Sequence, residues 1–383
     1  MMSPRVTVLM PVRNGERYLA AAVAGITSQS FEDFDFVIVD DGSTDATPSL
    51  LKEASSRDPR IRVLTRASTG IVGALEAGRA VSRAPYIARM DADDVALPHR
   101  LALQVAYLDS HRSAVAVGGQ VRDINEHGAD LSRGRFPLSP SDCRAYLAYG
   151  APFCHPAVML RREALDAVGG YRRLFEPAED LDLWLRLAMV GDLANLDQEV
   201  LKYRRHAATV TARRAVANAR AACLARLTRA HGDTVLPPGW RTLHTGDAEW
   251  RTIEAALPTH VRLEARATYL QALTLNGGIT EPKAWAQLTN ALPELAAWSR
   301  TQGQTEKLAF MMVRAAYQVA RSGQPSRALL TIWLGLRCAP IAVLREAASS
   351  VRARLATRHR PRAAGSDDQQ PGSAPPPASE IGR

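Results

Sequence analysis

The sequence predicts an α/β fold with a mostly parallel central sheet and flanking helices, followed by a helical half. The first hundred residues alternate short β-rich runs with helical patterns. Acidic residues stand just past the carboxyl ends of two of those runs, the edge where open α/β sheets bind ligands. From about Ala212 the composition turns to Ala, Leu and Arg with few strand signals.

The elements follow in order. Val6-Thr7-Val8-Leu9-Met10 reads as a buried first strand, and Leu19, Val23 and Ile26 recur as one face of a helix. Phe36 to Val39 is a second strand closed by Asp40-Asp41-Gly42-Ser43, after which Thr47-Pro48 resembles an N-cap with proline at the first helical position. Ile61 to Leu64 makes a short third strand, and a helix is expected from about Ile71 to Ser82. Tyr86 to Met90 is a fourth strand ending at Asp91, Asp93 and Asp94, with Leu101, Val105 and Leu108 at helical spacing after Pro98. No GxGxxG follows the first strand, which removes the main support for a dinucleotide-binding reading.

At 383 residues the chain is long enough for about two domains, and its 46% hydrophobic content supports a sizeable core. A formal charge of +9 points to anionic partners without choosing among nucleotide diphosphates, acidic lipids and nucleic acid. Cys143, Cys154, Cys223 and Cys338 form no CxxC pair and fit no zinc spacing, as expected of thiols in a reducing compartment. The first strand begins too soon to leave room for a signal peptide, and Leu329 to Leu344, broken by Arg337 and Pro340, is too short to span a bilayer. The expected location is the cytoplasm.

Three clusters carry chemistry. In Asp91-Ala92-Asp93, an extended backbone would put two carboxylates on one side, suited to one Mg²⁺ or Mn²⁺ shared with phosphate oxygens. Alone, so short a motif is more often a solvated acidic turn. Asp41 at its strand end can accept from a nucleobase N–H, although in isolation an Asx turn explains it better. Glu179-Asp180-Leu181-Asp182 opens an apolar-periodic segment, where acids suit the helix dipole and one of them can also serve as a general base. Leu181, Trp184, Leu185 and Leu187 read as core.

Taken together, residues 6–15, 39–45, 86–94, 155–159 and 179–186 resemble glycosyltransferase family 2 over about residues 4–210. The resemblance implies the GT-A fold and inverting transfer from a nucleotide sugar to a hydroxyl acceptor, in cell-surface polysaccharide or lipid-linked glycan synthesis. It also implies roles. Asp41 would contact the nucleotide base, Asp93 would be the principal metal ligand, and Asp91 would lie near ribose and diphosphate while also meeting the metal. Asp180 would be the catalytic base. Pro11 and Arg13 fall in the loop that packs on the base, with Arg13 where many members carry an aromatic residue; a guanidinium can stack there. Glu76 stands where an Asn is common, a departure on the donor side. His155, on an expected strand, and Glu179 fall in the acceptor region, and His206 closes a segment whose His can reach metal or diphosphate.

The expected boundaries are a catalytic domain at 1–211, a helical region at 212–360 and a disordered tail at 361–383 rich in Pro, Gly, Ser and Gln. Leu308 to Ala320 and Ala328 to Leu336, parted by Gly323-Gln324-Pro325, suggest a helical hairpin. The simpler expectation packs the helical region on the catalytic domain or a second subunit. Its arginines, including Arg213, Arg214, Arg220, Arg226 and Arg229 and later Arg345, Arg352, Arg354 and Arg358, also permit peripheral contact with the cytoplasmic face of an inner membrane. Nucleic acid is not an expected partner, and the oligomeric state is open. Two rivals are weaker. A nucleotidyltransferase should carry a Gly-rich triphosphate loop, of which Pro11 to Gly15 is a poor version, and a non-catalytic binder should have lost an acid that is here present.

Overall fold

A computed structural model describes residues 3–148, 150–205, 215–232, 236, 247–275, 282–301, 305–338 and 343. The strands in chain order are β1 (Val6–Val12), β2 (Phe34–Asp40), β3 (Ile61–Thr65), β4 (Tyr86–Arg89), β5 (Val95–Ala96), β6 (Ala114–Ile124), β7 (Asp130–Gly134), β8 (Met159–Arg161) and β9 (Asp192–Arg204). They form one sheet in the spatial order β3-β2-β1-β4-β8-β6-β9-β5, with β7 paired to β6.

The half from β3 to β4 is parallel, as the βαβ rhythm predicts, while β8 pairs antiparallel with both β4 and β6. β6 and β9 return to parallel pairing. The sheet is therefore mixed. Successive strands from β1 run outward to β3, whereas β4 lies on the other side of β1, so strand order reverses between them. A crevice at that reversal is where α/β sheets bind ligands.

Within this half, α1 (Leu19–Thr27), α2 (Thr47–Arg57), α3 (Ile71–Val81) and α4 (Arg100–Ser110) follow the strands at the expected places. Thr47 is not the N-cap. Its hydroxyl accepts from the Gly15 N–H at 2.8 Å, and Asp45 Oδ1 accepts the Thr47 N–H at 3.0 Å instead. The nearby Asp45 carboxylate satisfies the exposed helix N–H, leaving the threonine to tie in the β1 loop. His155 is not on a strand either. It opens a 3-10 turn, His155–Ala157, because Pro156 has no N–H for a ladder; β8 begins only at Met159.

α5 (Pro140–Tyr146), α6 (Arg162–Ala167) and α7 (Glu179–Leu187) complete the first half. Trp184 and Leu187 are fully buried, Leu181 is buried and Leu185 half-buried, so the apolar face of α7 is core as its spacing predicts. α8 (Ala215–His231), α9 (Asp247–Ala256), α10 (Thr259–Leu275), α11 (Pro282–Thr301), α12 (Thr305–Arg321) and α13 (Pro325–Cys338) form the helical half, α12 and α13 as a hairpin.

α8 packs on α7, and one apolar cluster runs from Leu9 and Val39 in the sheet through Trp184 to Leu224, Leu273 and Met312. The arginines of α8 serve that packing. Arg220 is buried with its guanidinium 5.9 Å from the Tyr269 ring, half-buried Arg226 donates to Leu147 O at 3.4 Å, and Arg229 reaches Met189 Sδ. Arg220 and Arg226 are thus held inward by a neighbouring ring and carbonyl, whereas Arg229 is exposed. Arg213, Arg214, Arg345, Arg352, Arg354, Arg358 and the tail at 361–383 lie outside the described residues. No helix among the described residues is long and apolar enough to cross a membrane.

Trp184→Ala should lower the unfolding free energy by about 3–5 kcal/mol, as expected for emptying a large buried site. Urea denaturation of the full chain measures it.

Candidate active site

The crevice at the strand reversal is built from three loops. After β1, Asn14 adopts a positive φ of 52° and its side chain accepts the Thr44 N–H at 2.8 Å. The N–H groups of Asn14 and Gly15 donate to Ser43 Oγ at 2.9 Å and Thr47 Oγ1 at 2.8 Å, which fastens this loop to the one after β2. Gly15 also lies against the third loop: a Cβ there would stand 2.7 Å from Val12 Cγ2 and 3.8 Å from Ala92 Cβ. Pro11 is half-buried at the end of β1, and Arg13 is exposed at the crevice edge.

The loop after β4 carries the acids. Residues 92–94 form a turn and not the extended segment expected, so Asp91 and Asp93 are gathered by the turn rather than by strand alternation. The same turn brings in Asp94. One carboxylate oxygen from each of Asp91, Asp93 and Asp94 lies within 4.8 Å of the others, a grouping able to hold a metal ion. Asp94 Oδ1 accepts the Arg204 N–H at 2.7 Å, while its buried Oδ2 has no hydrogen-bond partner. Burial is the main reason the Asp91 and Asp94 carboxyls lie above their ordinary range; Asp93 adds repulsion at both, and Arg89 opposes the rise.

Arg89, the last residue of β4, is the buried counter-charge of the site. Its Nη1 stands 2.6 Å from Asp91 Oδ2, and its charge also reaches Asp94, Glu179, Asp180 and Tyr171. Burial alone would lower its pKa, but Asp91 and the other acids outweigh burial and raise it. Nothing in the strand periodicity marked this residue as functional. The available signal was a lone arginine in an otherwise apolar strand, two residues before a run of acids.

Asp180 and Glu179 start α7. Asp180 is half-buried, its Oδ1 accepting the Leu181 N–H at 2.7 Å, whereas Glu179 is buried with Oε2 unpartnered. Burial raises both carboxyls most. Repulsion from Asp180 adds at Glu179, while at Asp180 the Leu181 N–H works against the rise; Arg89 opposes it at both. Asp182 is spoken for: buried, it pairs with both Arg172 and Arg186, the latter at 2.7 Å. His155 Nε2 sits 2.9 Å from Tyr171 Oη, and burial followed by the Arg89 charge pushes its pKa well below 6.5, leaving a neutral ring near pH 7.

Asp41 is occupied by its own chain. Its carboxylate accepts the Thr69 and Gly70 N–H groups, both at 2.9 Å, and the Ser68 and Thr69 hydroxyls at 3.1 and 3.2 Å. Burial acts to raise its pKa, but these bonds together hold it below the ordinary 3.8. The loop so held meets the α7 side, since Arg173 donates to Thr69 O and a Cβ on Gly70 would stand 3.1 Å from the Glu176 carboxylate. Glu76 pairs with Arg79 at 2.7 Å and accepts the Tyr171 N–H at 2.7 Å, joining α3 to the same side of the crevice.

Arg204, at the end of β9, donates from Nε to Asp93 O at 2.7 Å and stacks 4.5 Å from the Tyr18 ring. The segment Tyr203-Arg204-Arg205 thus reaches the acid turn. His206 lies outside the described residues.

A strand reversal, an acid triad beside it and a separate half-buried carboxylate give this α/β protein the parts of an enzyme that works on a phosphate-bearing substrate. Glycosyl transferase family 2 matches residues 7–169. The chain is 35% identical over 206 residues to the putative glycosyltransferase EpsE of Bacillus subtilis, covering 52% of this chain and 73% of that protein. It is 30% identical to the amylovoran biosynthesis glycosyltransferase AmsE of Erwinia amylovora, covering 54% and 79%, and 30% identical to the O-antigen biosynthesis glycosyltransferase WbnJ of Escherichia coli, covering 52% and 80%. Among solved structures, TarS 1–349 of S. aureus superposes with a TM-score of 0.53 at 15% identity, covering 86% of this chain and 90% of that one, a likeness of fold. The chain belongs to glycosyl transferase family 2 and is a glycosyltransferase with the GT-A fold.

Asp41→Asn puts an amide N–H₂ among four donors. It should cost about 1–3 kcal/mol of stability at pH 7. Because the folded carboxyl is held below 3.8, the contribution is complete above that value and disappears as pH falls through the lower folded value. Urea denaturation of both proteins at pH 7 and at acid pH should show the difference shrinking.

Proposed function

We propose that this glycosyltransferase moves a sugar from a nucleoside-diphosphate donor to a hydroxyl acceptor with inversion, in a single in-line displacement at the anomeric carbon. The observation that carries the reading is the acid triad of Asp91, Asp93 and Asp94, with the charge of buried Arg89 reaching both the triad and Asp180.

A hard divalent cation, Mg²⁺ or Mn²⁺, suits this set. The donors are all carboxylate oxygens, they lie within 4.8 Å of one another, and Asp94 Oδ2 is a buried acceptor without a partner. Asp93 and Asp91 would be its principal ligands, with Asp94 beside them and His206 at the end of the closing segment. When bound, the cation supplies Lewis-acid stabilisation of the leaving diphosphate, worth several kcal/mol.

The chain's own residues do the rest. Arg13 is exposed where a planar guanidinium can stack on a nucleobase, with Pro11 beneath the same loop. Asp41 serves the donor by holding the backbone of Thr69 and Gly70 in place, since its lone pairs are filled from within. Asp180 takes the acceptor proton; Glu179 behind it and the neutral His155 line the acceptor region. A nucleotidyltransferase reading is weaker still, because the Asn14 and Gly15 N–H groups that would cradle a triphosphate already donate to Ser43 and Thr47.

The relatives named for amylovoran and O-antigen biosynthesis support a role in making a cell-surface polysaccharide or lipid-linked glycan. A cytoplasmic site of action, with peripheral contact at the inner membrane, fits such an acceptor.

A thermal-shift panel of nucleotide sugars with Mn²⁺ identifies the donor, because a bound ligand stabilises by mass action. With that donor, Asp180→Asn should bind normally while transfer falls by about 10²–10⁴-fold, and full activity would remove Asp180 as base. Asp93→Ala should lose metal-dependent donor binding; unchanged affinity in the presence of Mn²⁺ would sink the metal assignment.

A further inference from the structure

The hairpin of α12 and α13 carries an outer face that the core does not use. α13 turns Ala328, Thr331 and Gly335 inward and leaves Leu329, Leu330 and Trp333 exposed at 73%, 40% and 51%. These positions are one helical stripe. α12, packed against α13, buries Met311, Met312, Ala315 and Val319 and exposes Arg314, Tyr317 and Arg321, again one stripe, with the Arg321 guanidinium 5.8 Å from the Tyr317 ring.

Charge decides what such a face meets. Between Glu306 and Glu346 the sequence holds six Lys and Arg residues and no Asp or Glu, and of these Arg314 and Arg321 are exposed on α12. A second copy docking face to face would bring exposed Arg314 and Arg321 against a like-charged surface, which costs free energy. An anionic bilayer offers the opposite: headgroups for the arginines, acyl chains for two leucines, and an interface that favours Trp and Tyr.

We propose that the outer face of the α12–α13 hairpin docks this enzyme on an anionic membrane surface, with Leu329, Leu330 and Trp333 inserted and Arg314 and Arg321 on the headgroups. This gives a surface to the membrane contact proposed above and rests on that part of the reading alone; it is separate from the crevice, so its failure leaves the transfer chemistry untouched.

The test is sedimentation of the full chain with phosphatidylcholine vesicles, with and without phosphatidylglycerol. Binding should require phosphatidylglycerol and weaken with salt. Leu329→Ser/Leu330→Ser/Trp333→Ser should bind at least about tenfold more weakly, and so should Arg314→Glu/Arg321→Glu, which leaves the apolar stripe intact. Circular dichroism and the thermal unfolding transition confirm that each variant is folded; if the triple serine variant is not, the double glutamate variant decides. Absence of wild-type binding, or undiminished binding by a folded variant, overturns the proposal. So does a concentration-dependent dimer in ultracentrifugation that the substitutions dissolve, which would make a second copy the occupant.

Discussion

The site depends on one buried cation. Arg89 sits at the end of the strand flanked by β1 and β8, with Asp91 at 2.6 Å and Asp94, Glu179 and Asp180 within reach of its charge. Burying carboxylates costs several kcal/mol each unless they are paired, and crowding them makes the cost worse. Arg89 allows the acid turn and the start of α7 to approach each other. A second buried arginine supports it: Arg100, on α4, donates to Arg89 O at 2.6 Å and fixes the strand end from which the acid turn departs.

Much of the donor half was legible because its physics is local. The strands from Val6 to Arg89 are short apolar runs, and the helices between them show their buried faces at regular spacing. β6 and β9 were not legible. β6 contains Gly118 and Gly119, where a Cβ on the second would come within 2.7 Å of the Val200 side chain, and β9 mixes Asp, Asn and Glu with its apolar residues. Their pairing slips register in several places, so neither keeps a period of two. Close approach between distant segments, not alternation, selects those residues.

Site residues divide the same way. Asp91, Asp93 and Asp180 could be picked out as acids at strand and helix ends, but their neighbours belong to tertiary structure. Asp94 joins the cluster through a turn, and its other oxygen is held by Arg204 from 110 residues away. Asp41 was readable as a strand-end carboxylate, yet the four donors that fill it come from residues 68–70. Sequence spacing identifies a carboxylate. It does not tell what the carboxylate already holds.

The helical half shows how far the site reaches into the rest of the fold. α7 is gripped on one face by the sheet-side core around Trp184, whose ring meets Phe153 edge-on at 5.0 Å. On another face it packs against α8, and Asn218 of α8 donates to Pro177 O at 2.8 Å, two residues before Glu179. Asp182 then locks the preceding loop to the helix through Arg172 and Arg186. The geometry of Asp180 relative to Arg89 is therefore set jointly by both halves of the chain. Since a shift of about 1 Å at a reacting group can cost about 10²-fold in rate, the seating of α7 on α8 bears directly on the role proposed for Asp180. Arg220 and Arg226 face inward to the same end: they help to seat α8 beneath the helix that carries Asp180.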